Sequence, residues 1–130
     1  MELEEINIVL SPEDMYGPAE KHHIVFRSHG GIDSDLNLIR LPMTFHKGLN
    51  GPHHNKATDL VLKLSLQERY FELFSRKHYN LEEIIRIIGP HNKKSRVALE
   101  KQIKKQNVCT SKGYRREDIV RTLMGGKIYG

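Results

Sequence analysis

The stretch EKHHIVFRSHGG (residues 20–31) places two adjacent histidines before an apolar run and a Gly-Gly pair after it. This pattern predicts a strand over residues 22–26 that enters a long hairpin turn, because Gly, Asp and Ser follow it closely. A second strand is predicted over residues 36–42, where Pro42 ends the pairing. The two histidines therefore lie on a β-hairpin, and packing alone does not easily explain them side by side.

The histidines of the chain are concentrated in one region. Eight occur in 130 residues, and six of them fall between residues 22 and 54. A hairpin followed by a helix brings its first strand against the helix start, so histidines that are distant in sequence can meet there. Clustered imidazoles are typical of a metal pocket. The six are His22, His23, His29, His46, His53 and His54.

The remaining pattern is mostly helical. A long helix is predicted from Pro52 to residue 77, since proline suits the first helical position, and its core-facing stripe is predicted at Leu60, Leu64, Phe71 and Phe74. Further helices are predicted from the N-cap Asn80, with Glu83 completing a capping box, to residue 89, over residues 93–105, and over residues 114–124 before a Gly-Gly C-cap. A short strand is predicted over residues 6–10.

Charge is unevenly distributed along the chain. The net charge is +5, but residues 93–130 hold eleven Lys and Arg against three acidic residues, a net charge of +8, whereas residues 1–92 carry −3. A basic segment suggests a polyanionic partner, of which nucleic acid is the commonest. A solvated helical face is the alternative reading, with even weight.

Several protein classes are disfavoured by composition. No apolar run approaches the roughly 20 residues of a membrane span, and the acidic start MELEEINIVL does not resemble a signal peptide. We therefore expect a cytoplasmic protein without a membrane partner. The single Cys109 excludes an intrachain disulfide and a cysteine zinc ribbon. A bound metal would have to be held by His, Asn or carboxylate side chains.

The ordered set HHIVFRSHGGIDSDLNLIRL, followed by FHKGLNGPHHN, resembles the HNH endonucleases, also called ββα-metal or His-Me finger nucleases. This resemblance covers roughly residues 20–55. The whole chain, through LQERYFELF and RTLMGGKIY, is also similar to small HNH proteins of bacteriophages and prophages, which implies a bacterial host cell. The implied fold is α+β: a ββα-metal finger with an N-terminal strand over residues 1–78, then a basic helical tail over residues 79–130 that could be helix-turn-helix-like.

The resemblance also implies residue roles. His23 corresponds to the general base and Asn37 to the residue that positions it, while His22 and His46 correspond to metal ligands. Neighbours on a regular strand point to opposite faces, so His22 and His23 can serve one site only if it straddles the strand edge or the strand is distorted.

The last metal ligand stays open between three residues. The family spacing points to Asn50, but glycines and a proline argue against a continuous helix from His46 to that position. We therefore prefer His53, with Asn50 second and His54 third. The remaining polar residues of the turn are interpreted as turn formers, namely Asp33 and Asp35, and as a surface residue, namely His29.

Together these features predict a metal-dependent endonuclease that nicks or cuts duplex DNA. We expect one divalent ion, Mg²⁺ or Mn²⁺, although an imidazole-rich site would also take Ni²⁺ or Zn²⁺. The alternative is a non-catalytic, phage-encoded nucleic-acid- or protein-binding accessory or regulatory module that keeps the fold. Candidate contacts to the DNA backbone are Arg27, Lys93, Lys94, Arg96, Arg115 and Arg116.

Overall fold

A computed structural model describes residue 6 and residues 8–130 of the chain. Within this part the fold is α+β, as predicted, with six α-helices and two small antiparallel sheets. The strands are β1 (Ala19–His23), β2 (Leu38–Pro42), β3 (His78–Tyr79) and β4 (Tyr114–Arg115). The helices are α1 (Pro12–Met15), α2 (Met43–Lys47), α3 (Lys56–Leu73), α4 (Leu81–Ile88), α5 (Lys93–Gln106) and α6 (Arg116–Leu123).

The predicted hairpin is present, but its first strand lies three residues earlier than predicted. β1 pairs antiparallel with β2, so that Ala19 lies opposite Pro42 and His23 lies opposite Leu38. Asn37 ends the ladder: its backbone oxygen still accepts from the Ile24 N–H (2.9 Å), and its side chain then takes the Val25 N–H (2.8 Å). The long connection between β1 and β2 contains two 3₁₀ turns, Arg27–His29 and Asp35–Asn37.

The long helix α3 begins later and ends earlier than predicted. Its N-cap is Asn55, whose side chain accepts a hydrogen bond from the Thr58 N–H (3.1 Å). The helix therefore starts at Lys56, because this side chain satisfies an N–H of the first turn, whereas proline supplies no such acceptor. Pro52 lies four residues before the helix, in the preceding turn.

The predicted core stripe of α3 was wrong for two of its residues. Leu60 and Leu64 are exposed, at 42% and 36% of their surface, whereas Leu62, Leu66 and Tyr70 are buried. Leu60 and Leu64 are four residues apart, and so are the successive members of the buried set. Helical spacing alone therefore cannot show which set faces the core.

The C-terminal helices follow the prediction closely. Asn80 and Glu83 form the predicted capping box of α4, and Gly89 ends that helix with a positive φ of 61°. The helix predicted over residues 93–105 is α5, one residue longer than predicted. The last helix starts at Arg116, because the two residues before it pair with β3 as strand β4. Two-residue strands carry too little pattern to be predicted.

One hydrophobic core connects the described elements. Fully buried side chains come from β2 and α3, such as Leu41 and Leu66, and equally from α5 and α6, such as Leu99 and Ile119. Residues on both sides of position 78 thus contribute to the same core.

The strand predicted over residues 6–10 includes residue 7, which lies outside the described part, and the other four residues form no strand. No described helix combines the length and hydropathy needed to cross a membrane.

Candidate metal centre

Three of the predicted histidines come together at one point. Nδ1 of His22 lies 3.1 Å from Nε2 of His46, which lies 2.9 Å from Nε2 of His53. Two nitrogen ligands that bind one ion at about 2.0–2.1 Å and at angles near 90–110° would be about 2.9–3.4 Å apart. These two separations match the edges of a metal coordination shell. All three ligand atoms lie within 4.8 Å of one another, so the group could hold a metal ion.

Each histidine of this triad comes from a different element. His22 lies on β1, His46 lies on the short helix α2, and His53 lies in the turn before α3. Gly51 makes the last of these positions possible, because a Cβ atom there would lie 2.1 Å from the backbone oxygen of Phe45. Only a residue without a side chain allows this turn to approach α2 so closely.

Glu20 supports the triad from the side. Its carboxylate oxygen Oε1 accepts a hydrogen bond from Nδ1 of His46 at 2.6 Å. This contact places the proton of a neutral His46 on Nδ1 and leaves the lone pair of Nε2 facing His22 and His53. A carboxylate that orients a metal-binding histidine in this way is a common partner in metal sites.

Burial favours the metal-binding, neutral form of His22, the one fully buried member of the triad. The pKa of His22 is lowered to about 3, first by burial and then by the charges of His46 and His53. The pKa of His53 is also lowered, first by burial and then by the charges of His46 and His54. A neutral imidazole is the form that binds a metal. The second nitrogen of His22 is buried and has no hydrogen-bond partner among the described residues.

An aromatic ring packs the triad against the protein interior. Phe26 stacks on His53 with ring centres 5.3 Å apart and meets His22 edge-on at 5.8 Å. The buried Lys63 lies over the same Phe26 ring, with Nζ 4.9 Å from the ring centre. Lys63 is neutralised by Asp59 at 2.8 Å, one turn earlier on α3.

The second histidine of the pair, His23, belongs to a different group of side chains. Its Nε2 lies 2.6 Å from Oδ1 of Asp33, and Arg27 donates to both oxygens of the same carboxylate at 3.1 and 2.9 Å. The hydrogen bond from His23, more than the charge of Arg27, holds the pKa of Asp33 below its usual value. Asp33 thus orients the imidazole of His23, where the sequence had suggested only a turn former.

The hydrogen bonds of the Asn37 side chain go to the backbone and not to the His23 ring. It is buried, and its amide accepts from the Val25 N–H and donates to the backbone oxygens of Val25 (3.0 Å) and Ile32 (3.1 Å). Asn37 therefore holds the chain that follows β1 and acts on His23 only through the backbone.

The basic helix α5 lies beside this loop. The backbone N–H of His91, just before α5, donates to the backbone oxygen of Asp33 (2.8 Å). The His91 ring lies 2.7 Å from the Asp35 carboxylate. Farther along α5, the side chain of Gln102 donates to the Gly30 oxygen (3.0 Å). The predicted DNA contacts on the first turns of this helix, Lys93, Lys94 and Arg96, are all exposed.

The two adjacent arginines at β4 differ in environment. Arg115 is exposed, whereas the guanidinium of Arg116 donates to the backbone oxygens of Phe71 and Phe74 at the end of α3. Arg116 also stacks on the Phe71 ring at 4.7 Å. These contacts give Arg116 a structural role that the sequence did not indicate.

The other ligand alternatives lie outside the triad. His54 is exposed, and Asn50 is exposed with its backbone oxygen accepting from the Thr58 hydroxyl (2.7 Å). The sequence did contain a signal for Glu20, because it lies two residues before His22 and alternate strand residues share a face. No local signal pointed to Asp33, since its contact with His23 spans the hairpin connection.

Comparisons of the chain with protein-family models, with curated proteins and with solved structures found no significant match.

Proposed function

We propose that the protein is a metal-dependent DNA endonuclease of the ββα-metal type, in which the hairpin β1–β2 and the helix α3 frame the site. The observation that carries this proposal is the convergence of the ring nitrogens of His22, His46 and His53. His46 Nε2 lies about 3 Å from a nitrogen of each of the other two, and Glu20 stands behind His46. Packing does not require three imidazoles to face one another. A divalent ion bound there would offset the negative charge that develops on a phosphodiester during hydrolysis.

His23 is the residue we assign to proton transfer. Its Nε2 is engaged by Asp33, which leaves Nδ1 to accept a proton from the attacking water. The carboxylate also stabilises the imidazolium that proton transfer produces, much as a buried aspartate does for the histidine of a hydrolase triad. Histidine suits this task near neutral pH.

The position of His23 at the end of its strand matters for this assignment. His22 and His23 point to opposite faces of β1, and His23 is the last residue of that strand. A phosphodiester that crosses the end of β1 would contact both the metal site at His22 and the base His23. A site that straddles the strand edge in this way lets both adjacent histidines take part. Arg27 has a side chain that is 69% exposed, so its guanidinium can contact phosphate while it remains on Asp33.

The donor set bears on the choice of metal. Three neutral imidazoles suit Zn²⁺, Ni²⁺ or other transition metals, whereas Mg²⁺ prefers oxygen ligands and retained water. Among the expected ions, Mn²⁺ and Ni²⁺ therefore fit the triad better than Mg²⁺ does.

Nicking of a supercoiled plasmid in the presence of a panel of divalent ions tests the proposal. Wild-type protein should nick the plasmid with at least one transition metal, and His23→Ala should lower the rate by about 10²- to 10⁴-fold, the usual contribution of a general base. His29→Ala, which removes an exposed histidine from the same connection, should cleave as the wild type does.

Equal cleavage by wild type and His23→Ala would refute the assignment of His23. If no ion supports cleavage, the nuclease proposal fails, and a non-catalytic nucleic-acid- or protein-binding module becomes the better account. Calorimetry separates proton transfer from metal binding. His23→Ala should bind the metal with unchanged affinity, whereas His53→Ala should bind it more weakly.

A further inference from the structure

The outer face of the hairpin carries an unusual pair of charges. Lys21 on β1 lies directly opposite Arg40 on β2, and both side chains are exposed. Alternate residues of a strand share a face, so Lys21 stands on the same face as His23, whereas His22 points to the other face. The rise of a strand places the Cα atoms of Lys21 and His23 about 7 Å apart.

Folding does not explain this pair. Like charges directly opposite each other in an antiparallel sheet destabilise it. None of the ion pairs among the described residues involves Lys21 or Arg40.

The nearest acidic side chains in the hairpin region are already engaged. Glu20 points to the opposite face and binds His46, Asp33 binds His23 and Arg27, and Asp35 binds His91. Within the described part of the chain, neither Lys21 nor Arg40 has an ion-pair partner, so both can bind an anion from solution.

We propose that Lys21 and Arg40 bind the phosphate backbone of a nucleic acid on the outer face of the hairpin, beside the phosphodiester at His23. This inference rests on the proposed function, because His23 defines where the substrate lies. Nucleic acid fits better than an acidic protein segment, since the helix α5 borders the same connection and carries further exposed cations, Lys93, Lys94 and Arg96, that a long phosphate backbone could contact.

Binding of a DNA duplex, measured by fluorescence anisotropy with a chelator present, tests the contact without turnover. Loss of one phosphate contact should reduce the slope of log K against log salt by about 0.9, which corresponds to about eightfold weaker binding at 0.1 M salt. Arg40→Glu should show at least this loss. Lys112→Glu makes the same change of charge at an exposed turn residue outside the hairpin and should stay within about twofold of wild type.

Thermal unfolding of the same variants excludes misfolding as the cause. Arg40→Glu places opposite charges across the two strands, so its Tm should be equal to or higher than that of the wild type. If that variant nevertheless unfolds, the double variant Lys21→Gln/Arg40→Gln removes the repulsion without adding a charge, and its salt slope should fall by about 1.8.

Equal losses for Arg40→Glu and Lys112→Glu would overturn the proposal, and so would equal binding of polyglutamate with the same dependence on Arg40. If wild-type protein binds no DNA, both this contact and the proposed function fail. If it binds DNA with the expected dependence on Arg40 but never cleaves, the contact is supported and only the nuclease activity is refuted.

Discussion

Burial holds the pKa of His22 at about 3, so this side chain stays neutral in the folded protein at every pH near neutrality. In the unfolded chain the same histidine takes up a proton below about pH 6.5. Between these values the unfolded state binds more protons, and stability therefore falls as the pH falls. We expect the metal-free protein to lose up to about 1.4 kcal/mol of unfolding free energy per pH unit below pH 6.5 from this group. Urea unfolding at pH 7, 6 and 5 measures the effect.

The variant His22→Gln supplies the comparison for this prediction. It removes the titrating group, so its unfolding free energy should vary less between pH 7 and pH 5 than that of the wild type, whatever its absolute stability. Parallel pH profiles for the two proteins would show that other groups cause the loss.

Glu20 should matter to metal affinity although it does not belong to the triad. Glu20→Gln keeps the size of the side chain but removes the carboxylate that fixes the proton of His46. Loss of such a partner typically costs 10- to 100-fold in metal affinity. Calorimetric titration with Mn²⁺, Ni²⁺ and Zn²⁺ should show this decrease, while Glu68→Gln, at an exposed position of α3, should bind as the wild type does. Equal affinities for both variants would contradict the role of Glu20.

Among individual side chains, the sequence predicted where the histidines meet but not which residues surround them. The triad could be predicted because hairpin topology brings His22 towards the start of the helix. The partner of His23 could not be predicted, because its contact with Asp33 depends on the path of a loop, and a loop has no repeating sequence pattern. Asn37 was expected to position the base, and spacing could not show how: its amide binds the backbone of Val25 and Ile32, in the connection that follows His23.

Among the elements, α4 was predicted almost to the residue and α3 was not. The signals of α4 are local, since Asn80 and Glu83 satisfy each other's backbone N–H groups within one turn. The burial of α3 depends on which stripe faces the hairpin and the C-terminal helices, and Leu60 and Leu62 differ only in that respect. Spacing gives the period of a helix, whereas tertiary packing gives its rotation.

Arg116 joins two of these elements, and its neighbour provides a matched control. Arg116→Ala removes the donors to the last carbonyl oxygens of α3 and should lower the unfolding free energy by about 2 kcal/mol, as expected for hydrogen bonds from a charged group. Arg115→Ala should change it by less than about 0.5 kcal/mol, since the side chain is exposed. Urea unfolding measures both. Equal effects would mean that the contacts of Arg116 with Phe71 and Phe74 contribute little.

For the whole molecule, the shared core limits how the basic region can be studied. Leu99, Ile103, Ile119 and Val120 are fully buried and lie beyond residue 88. Removing this region would expose the apolar faces of α3 and α4 and destabilise the entire fold. Its contribution to nucleic-acid binding must therefore be measured by substitutions on the surface.

The first turn of α5 offers such substitutions. Lys93 and Lys94 lie at the N-terminus of the helix, where the helix dipole disfavours positive charge. The exposed Arg96 forms one ion pair within the described part of the chain, with the half-buried Glu100 at 3.3 Å, and such a surface pair adds little to stability. Changing all three to Gln should therefore leave the Tm unchanged or raise it. If they contact phosphates beside the hairpin connection, the salt slope of DNA binding should fall by up to about 2.7.

The opposite end of α5 provides a control with the same change of charge. Lys101, Lys104 and Lys105 are exposed, and near the C-terminus positive charges favour the helix. Their replacement by Gln should lower the Tm slightly but reduce the salt slope less. The start of α5 adjoins Asp33, the partner of His23, whereas this end meets the connection at Gly30 through Gln102. If both triple variants reduce the slope equally, DNA binding follows net charge and not position. If neither reduces it, the basic face of α5 is only a solvated surface, and the phosphate contacts must lie on the hairpin.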